Sequence, residues 1–205
     1  MPRRSKQLAV RDEFLILTNG KQTEKNYFEA IRAHYKSIFK ISVKFMNDDP
    51  VALVNHAIAE KTPRNRVWCV FDNEFLPASI DRAMKTAKEN EIGVAFSNMA
   101  FEVWLIDHFE KCYLEKNAEK LVADLDRILK ANEYPAGYSK EDKQMITEVL
   151  MPHLDDAVQN ADIVMQTRIR EHKESYHNEN HPFCDWNSFT NVHKLIDALK
   201  LNKQE

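Results

Sequence analysis

The fold is decided by the stretch Val67-Trp68-Cys69-Val70-Phe71-Asp72-Asn73-Glu74. Its first five residues are apolar and it contains no Gly or Pro, which is typical of a strand buried on both faces of a sheet. Asp72 and Glu74 come at the carboxyl end of this predicted strand. Because side chains two residues apart in an extended segment point the same way, we expect both carboxylates to face one point.

Two acids in this position predict a binding site for a divalent cation. In open α/β sheets, ligands bind just beyond the carboxyl ends of the strands. Carboxylate oxygens suit a hard cation, which also keeps part of its water. The same residues also fit a strand that ends in a solvated acidic turn, and the stretch by itself leaves both interpretations open.

The chain around this stretch alternates between short apolar runs and amphipathic segments. Strands are predicted at 14–18, 41–45, 67–72 and 94–97, each followed by a helix. Asn19-Gly20 ends the first strand as a turn, Thr23 is a suitable N-cap for the next helix, and Pro50 suits a first helical position. This alternation predicts βαβ units and a mainly parallel sheet flanked by helices.

The second half of the chain is predicted to be helical, with no strand after residue 97. Helices are expected at 101–109, 118–131, 140–150, 154–174 and 192–201. Ser97 or Asn98 is expected to cap the first of them, and Glu102 lies in its first turn, beside the strand ends. An acid there can also simply complement the helix dipole. We therefore predict an α/β core over 1–110 and a helical part over 111–205, packed together as one unit.

Composition limits the class of protein. The 205 residues carry a net charge of −3, so nucleic-acid binding would have to come from a local basic face, such as Lys61, Arg64 and Arg66. Three cysteines without a CxxC pair favour a reducing, cytoplasmic location, and no apolar run is long enough to span a membrane. His172, His177, His181 and Cys184 are spaced too loosely for a typical zinc site, which leaves surface histidines as the favoured interpretation.

Four stretches, in order along nearly the whole chain, resemble the RloB family, which has a Toprim-like fold. They are Leu17-Thr18-Asn19-Gly20-Lys21-Gln22-Thr23-Glu24-Lys25-Asn26-Tyr27-Phe28, Val67 to Glu74 as quoted above, Ser97-Asn98-Met99-Ala100-Phe101-Glu102-Val103-Trp104-Leu105, and Asn187-Ser188-Phe189-Thr190-Asn191-Val192-His193-Lys194-Leu195-Ile196. The ordered set is more specific than any one of its members.

The resemblance implies a Toprim-like, Mg²⁺-dependent nuclease that acts on DNA or RNA. Such proteins are effectors in anti-phage or restriction-type loci, with an ATPase partner of the ABC or AAA type; a homodimer is a further expectation. Asp72 and Glu74 would bind the metal ion, and Glu102 or Glu24 would support the reaction. Two-carboxylate metal sites of this kind orient the scissile phosphate and stabilise the leaving oxygen.

The chain departs from the family pattern at the first turn. Asn19 stands where the family has an acidic residue, and Glu74 stands where it usually has an aspartate. Two other functions therefore remain as alternatives. One is a catalytically degenerate Toprim-like module that binds nucleic acid or the ATPase partner without cutting, and the other is an interaction subunit that works through its helical half.

Overall fold

The computed structural model describes residues 13–36, 40–113, 117–172 and 188–201. Strands and helices alternate through its first half: β1 Glu13–Thr18, α1 Thr23–Tyr35, β2 Lys40–Phe45, α2 Pro50–Glu60, β3 Asn65–Asp72, α3 Pro77–Glu89 and β4 Gly93–Asn98. The second half is mainly helical: α4 Glu102–Asp107, α5 Ala118–Ala131, a π-helix Met145–Leu150, a 3₁₀ turn Met151–His153, α6 Leu154–Glu171, β5 Phe189–Thr190 and α7 Val192–Leu201.

The strands form one sheet in the order β2-β1-β3-β4-β5. The pairs β1–β2, β1–β3 and β3–β4 are parallel, and β5 is antiparallel to β4. The predicted α/β class, with a mainly parallel sheet flanked by helices and a helical second half, is confirmed. The central position of β1 and β3 explains why both are apolar along almost their whole length.

The two faces of the sheet have separate cores, and β1 contributes to both. Phe14 and Ile16 pack on the face covered by α1 and by the helices of the second half, whereas Leu15 and Leu17 pack on the face covered by α2 and α3. This division follows from the period of two along a strand. On β3, Val70 belongs to the first of these cores, so Asp72, two residues later, is at the strand end on the same face.

The prediction that no strand follows residue 97 is wrong. Phe189 and Thr190 pair with Asn98 and Ser97 at the end of β4. Asn191 extends this edge with its side chain, whose Oδ1 accepts from the Phe96 backbone N–H and whose Nδ2 donates to the Val94 carbonyl at 3.1 Å. A two-residue strand is too short to produce an alternating pattern, so periodicity alone does not reveal it.

The residues predicted to cap the helix starts are confirmed at α2 and wrong at α1 and α4. Ser97 and Asn98 belong to β4, and α4 starts later, with Phe101 in the capping position and no side-chain cap. Thr23 is the first residue of α1 rather than its cap. At the start of α2, by contrast, Asp49 caps the helix and Pro50 is its first residue, as predicted.

The helices of the second half differ in how closely they match prediction. Those at 118–131 and 192–201 are confirmed, and the one predicted at 154–174 ends at Glu171. The segment predicted as a helix from 140 begins with a loop, and its regular part is the π-helix. These helices and α1 share one core, while the predicted division at residue 110 stays a prediction.

Among the described helices, none has the length and apolar character needed to cross a membrane.

Candidate functional site: an acidic cleft at the strand ends

A cleft of about 510 Å³ lies at the carboxyl ends of β1 and β3. The starts of α1 and α4 form part of its wall, and α5 from the helical half closes another side. The cleft contains all four acids that were predicted as site residues: Glu24, Asp72, Glu74 and Glu102. It also contains Asn19 and Gly20 of the turn after β1, which pairs with β3, so the two strand ends lie side by side.

Asp72 is the last residue of β3, and only 7 % of its surface is exposed. Burial, and then the charges of Glu74, Glu24 and Glu102, raise the pKa of its carboxyl from 3.8 to about 8. A hydrogen bond from the Phe101 backbone opposes this rise. Because three neighbouring carboxylates act on Asp72, the four acids form one electrostatically coupled cluster.

Glu74 reaches the cleft for a reason different from the one predicted. The strand ends at Asp72, and Glu74 lies in the turn that follows, where its side chain is exposed. The argument that both side chains point the same way along one extended segment is therefore wrong, although both residues line the same cleft. A longer, exposed glutamate on a turn has more conformational freedom than an aspartate on the strand itself.

Glu24 lies against the turn after β1. It is in the first turn of α1 and is 9 % exposed, and a Cβ placed on Gly20 would overlap its carboxylate. The missing side chain at Gly20 is therefore what admits the Glu24 carboxylate. Burial raises the pKa of Glu24 from 4.5 to about 6, with smaller contributions that include the charge of Glu102.

Glu102 is held by the helical half. It is the first residue of α4 and is 4 % exposed, and its Oε1 accepts a hydrogen bond from the Tyr138 hydroxyl at 2.6 Å. Lys140 Nζ is 3.7 Å from the same oxygen. Glu102 thus lies in the first turn of α4, where an acid can complement the helix dipole, and also lies in the cleft with the other three acids.

The sequence interpretation did not predict a role in the site for Lys21 and Lys140, which line the cleft, or for Tyr138, whose hydroxyl donates to Glu102. Lys21 and Lys140 line the cleft and are exposed, whereas Tyr138 is largely covered. Tyr138 and Glu102 are separated by 36 positions in the chain, so no local spacing pattern joins them. Only the packing of the loop after α5 against the strand ends brings them together.

The donor set suits Mg²⁺ chemically, because carboxylate oxygens are its preferred protein ligands. Within the described ranges, no three His, Cys, Asp or Glu side chains are arranged to hold a metal ion together. Mg²⁺ is commonly held by one or two carboxylates and completed by water and substrate phosphate, so the pair Asp72 and Glu74 matches that mode of binding. The coupled acids also create the negative potential that attracts a cation.

The basic residues singled out before β3 lie away from this cleft. Arg66 is near the start of the strand and Asp72 is at its end, which at 3.3 Å per residue separates them by roughly 20 Å. Lys61 is bound to Glu91 at 2.8 Å and to the Asn90 carbonyl at 2.7 Å. This group therefore lies at the opposite edge of the sheet from the acids.

His108 lies in the core rather than in the cleft. His108 is fully buried; its Nε2 is 3.1 Å from the Tyr27 hydroxyl and its Nδ1 is 3.0 Å from the Trp104 carbonyl. Burial lowers its pKa from 6.5 to about 4, so it is a neutral core residue at pH 7. Three residues of the loose zinc pattern, His177, His181 and Cys184, lie outside the described residues.

Fold and site together define an α/β protein with an acidic cleft at the carboxyl ends of parallel strands. The family model described as RloB-like protein matches residues 14–199, which is most of the chain. The chain therefore belongs to the RloB-like protein family. The comparisons with curated proteins and with solved structures give no match.

Proposed function

We propose that this protein is a Mg²⁺-dependent nuclease with a Toprim-like fold, and that the acidic cleft is its active site. The observation that carries the proposal is the cluster of four acids in one cleft, where burial and then the charges of the other three raise the pKa of Asp72 to about 8. Burying several carboxylates side by side destabilises a fold unless a cation or protons neutralise them, and such clusters are typical of functional sites. Phosphodiester hydrolysis is the reaction for which carboxylates and Mg²⁺ at strand ends are best suited.

Each acid has a distinct part in the proposed reaction. Asp72 and Glu74 would hold the Mg²⁺, which when bound neutralises charge on the phosphate and on the leaving oxygen. Glu24 accepts the proton of the attacking water. It is buried in the cleft beside Gly20, and a pKa of about 6 leaves it ionised at pH 7 but still basic enough for this role. Glu102 supports the cluster from the opposite wall.

Glu24 also supplies a carboxylate close to position 19, which has none. The Asn19 amide cannot accept a proton as a carboxylate does. The Glu24 carboxylate, however, lies over the next residue, Gly20, in the same cleft. A buried carboxylate is therefore present beside the turn although position 19 is neutral, which favours a working site over a degenerate one.

The two cleft lysines provide the contacts that a nucleic-acid backbone needs. Lys21 and Lys140 are exposed at the cleft, and phosphate contacts by lysine supply most of the sequence-independent affinity for nucleic acids. The protein would act with an ABC or AAA-type ATPase in an anti-phage or restriction-type defence system, as its family resemblance suggests. The partner would deliver or expose the DNA or RNA that is cut.

A cleavage assay with matched variants tests this function. Labelled single- and double-stranded DNA and RNA are incubated with the protein, with and without its ATPase partner, in Mg²⁺ or in EDTA. We expect Mg²⁺-dependent cleavage by the wild type and a loss of at least about 100-fold in Asp72→Asn and in Glu24→Gln. Glu89→Gln, which changes an exposed acid at the end of α3, is the control and should cut like the wild type.

A binding module is the second candidate, and Asn19 at the cleft is the observation that favours it. In that case the wild type would bind nucleic acid or the ATPase without cutting under any of these conditions. Asn19→Glu then distinguishes a recently lost activity from a site that never cuts. Cleavage that is unaffected by EDTA and by Asp72→Asn would exclude the proposed site altogether.

A further inference from the structure

Tyr138 donates a hydrogen bond to the acid cluster from the helical half. Its hydroxyl lies 2.6 Å from Glu102 Oε1 and 3.2 Å from Thr23 Oγ1. A tyrosine hydroxyl has a single proton, and an ionised carboxylate can only accept, so the proton of Tyr138 is directed to Glu102. Thr23 must then donate to the tyrosine oxygen, which gives a chain of hydrogen bonds from α1 through Tyr138 to α4.

The loop that carries Tyr138 is held in place independently of the cleft. The Tyr138 backbone N–H donates to Asp126 Oδ1 at 3.0 Å. Gly137 has φ of +72°, and a Cβ there would overlap the same Asp126 carboxylate, so this approach requires glycine. Two further contacts join the loop region to α1, from Asn26 to the Lys140 carbonyl and from Lys143 to Glu29.

The consequence is that Glu102 has a prearranged position. A buried, hydrogen-bonded carboxylate loses little freedom when a charged ligand arrives, whereas a mobile one must be ordered at that moment. Burial and the negative charge of Glu102 raise the pKa of Tyr138, which keeps the hydroxyl protonated and able to donate at neutral pH. Hydrogen-bond partners that orient the acids around a metal ion typically affect metal affinity or activity by about 10–100-fold.

We propose that Tyr138 is a positioning residue that fixes Glu102 in the acidic cleft and thereby sets the cleft's affinity for Mg²⁺. This inference rests on the proposed function, since it assigns the cleft to Mg²⁺. It also gives the helical half a defined role, because the loop between α5 and the π-helix holds one of the four clustered acids in place.

The test compares two tyrosines of the same loop. Tyr138→Phe removes the hydroxyl and keeps the ring. Tyr134→Phe makes the same change four residues earlier, where the hydroxyl donates to Asp142 Oδ2, also at 2.6 Å, outside the cleft. Mg²⁺ affinity is measured without substrate, by titration calorimetry and by the rise in Tm that Mg²⁺ produces.

We expect Tyr138→Phe to weaken Mg²⁺ binding by about tenfold, and Tyr134→Phe to leave it within about twofold of the wild type. In a Glu102→Gln background, Tyr138→Phe should add no further loss, because the two residues act as one unit. On cleavage, Tyr138→Phe should lower kcat by about tenfold or more with little change in KM, as expected of a group that positions the reacting site rather than binding substrate.

The outcomes separate this inference from the proposed function. Wild-type Mg²⁺ binding that is unchanged in Tyr138→Phe, or a loss that is equal in both tyrosine variants, overturns the role of Tyr138 alone. A wild type that neither binds Mg²⁺ nor cuts overturns the proposed function and the metal part of this inference. In that case a double-mutant cycle on stability tests the Tyr138–Glu102 hydrogen bond, using the Tm values of Tyr138→Phe, Glu102→Gln and the double variant. Additive decreases in Tm would contradict the bond.

Discussion

Gly20→Ala should lower the cleavage rate of this protein while leaving its stability nearly unchanged. A Cβ at this position overlaps the carboxylate of Glu24, which is the far end of a flexible side chain. Among the described glycines, Gly137 is the one with positive φ, so alanine at position 20 needs no left-handed backbone. The fold can therefore accept the methyl group if Glu24 moves.

The size of each effect follows from this geometry. The Glu24 carboxylate must move by more than about 1 Å to reach ordinary van der Waals separation. A displacement of about 1 Å at a reacting group can cost roughly 100-fold in rate. Stability should change by less than about 1 kcal/mol, because replacing glycine at a compatible position also reduces the entropy of the unfolded chain.

Three measurements check this prediction: the single-turnover cleavage rate, the Tm, and the carboxyl pKa of Glu24 by NMR. We expect a rate loss of about 100-fold, a Tm shift within about 4 °C, and a Glu24 pKa that falls from about 6 toward 4.5 as the group becomes more exposed. The pKa readout requires no activity.

Gly93→Ala is the contrasting variant. A Cβ there overlaps the ring of Trp68 on the neighbouring strand, and a packed ring cannot swing away as a carboxylate can. It should lower the stability by about 1–3 kcal/mol and leave the cleft intact. A folded Gly20→Ala protein that cuts at the wild-type rate would refute the role given to Glu24.

Three further predictions concern stability. Because the folded pKa of Asp72 is raised from 3.8 to about 8, metal-free stability should fall as pH rises through that window. Asp72→Asn should remove this fall and raise the free energy of unfolding at pH 7 by up to about 4 kcal/mol, measured by urea unfolding, and a variant no more stable than the wild type would contradict this. The folded pKa of His108 is instead lowered from 6.5 to about 4, so its contribution to stability is lost as pH falls from 6.5 to 4, by at most roughly 3 kcal/mol. A pH series that compares wild type with His108→Gln isolates this loss, and parallel curves would contradict it. Asn191→Ala should cost about 1–3 kcal/mol, since it leaves polar groups at the edge of β4 without their partner; an unchanged Tm would show that the edge is satisfied in another way.

The sequence by itself determined the α/β part of this protein. The apolar run that ends in Asp72 identified a buried central strand, and turn residues such as Asn19-Gly20 and Pro50 marked where neighbouring elements begin and end. These signals are local, because burial on both faces needs a continuous apolar run and helix starts need particular residues. The position of acids at strand ends then predicted a site with Asp72 and Glu74, and with Glu102 beside it, since parallel strands end at a common edge. The resemblance to the RloB family added Glu24 to this predicted site.

Only the tertiary structure decided how that site is completed. The contact of Tyr138 with Glu102, and the pairing of Asn191 with β4, join residues 36 and 95 positions apart. Such contacts depend on the packing of whole elements, and a single hydrogen-bonding residue in a loop has no periodic pattern to reveal it. The turn that carries Glu74 and the glycine that admits Glu24 were likewise decided by close approach in space, which spacing along the chain does not record.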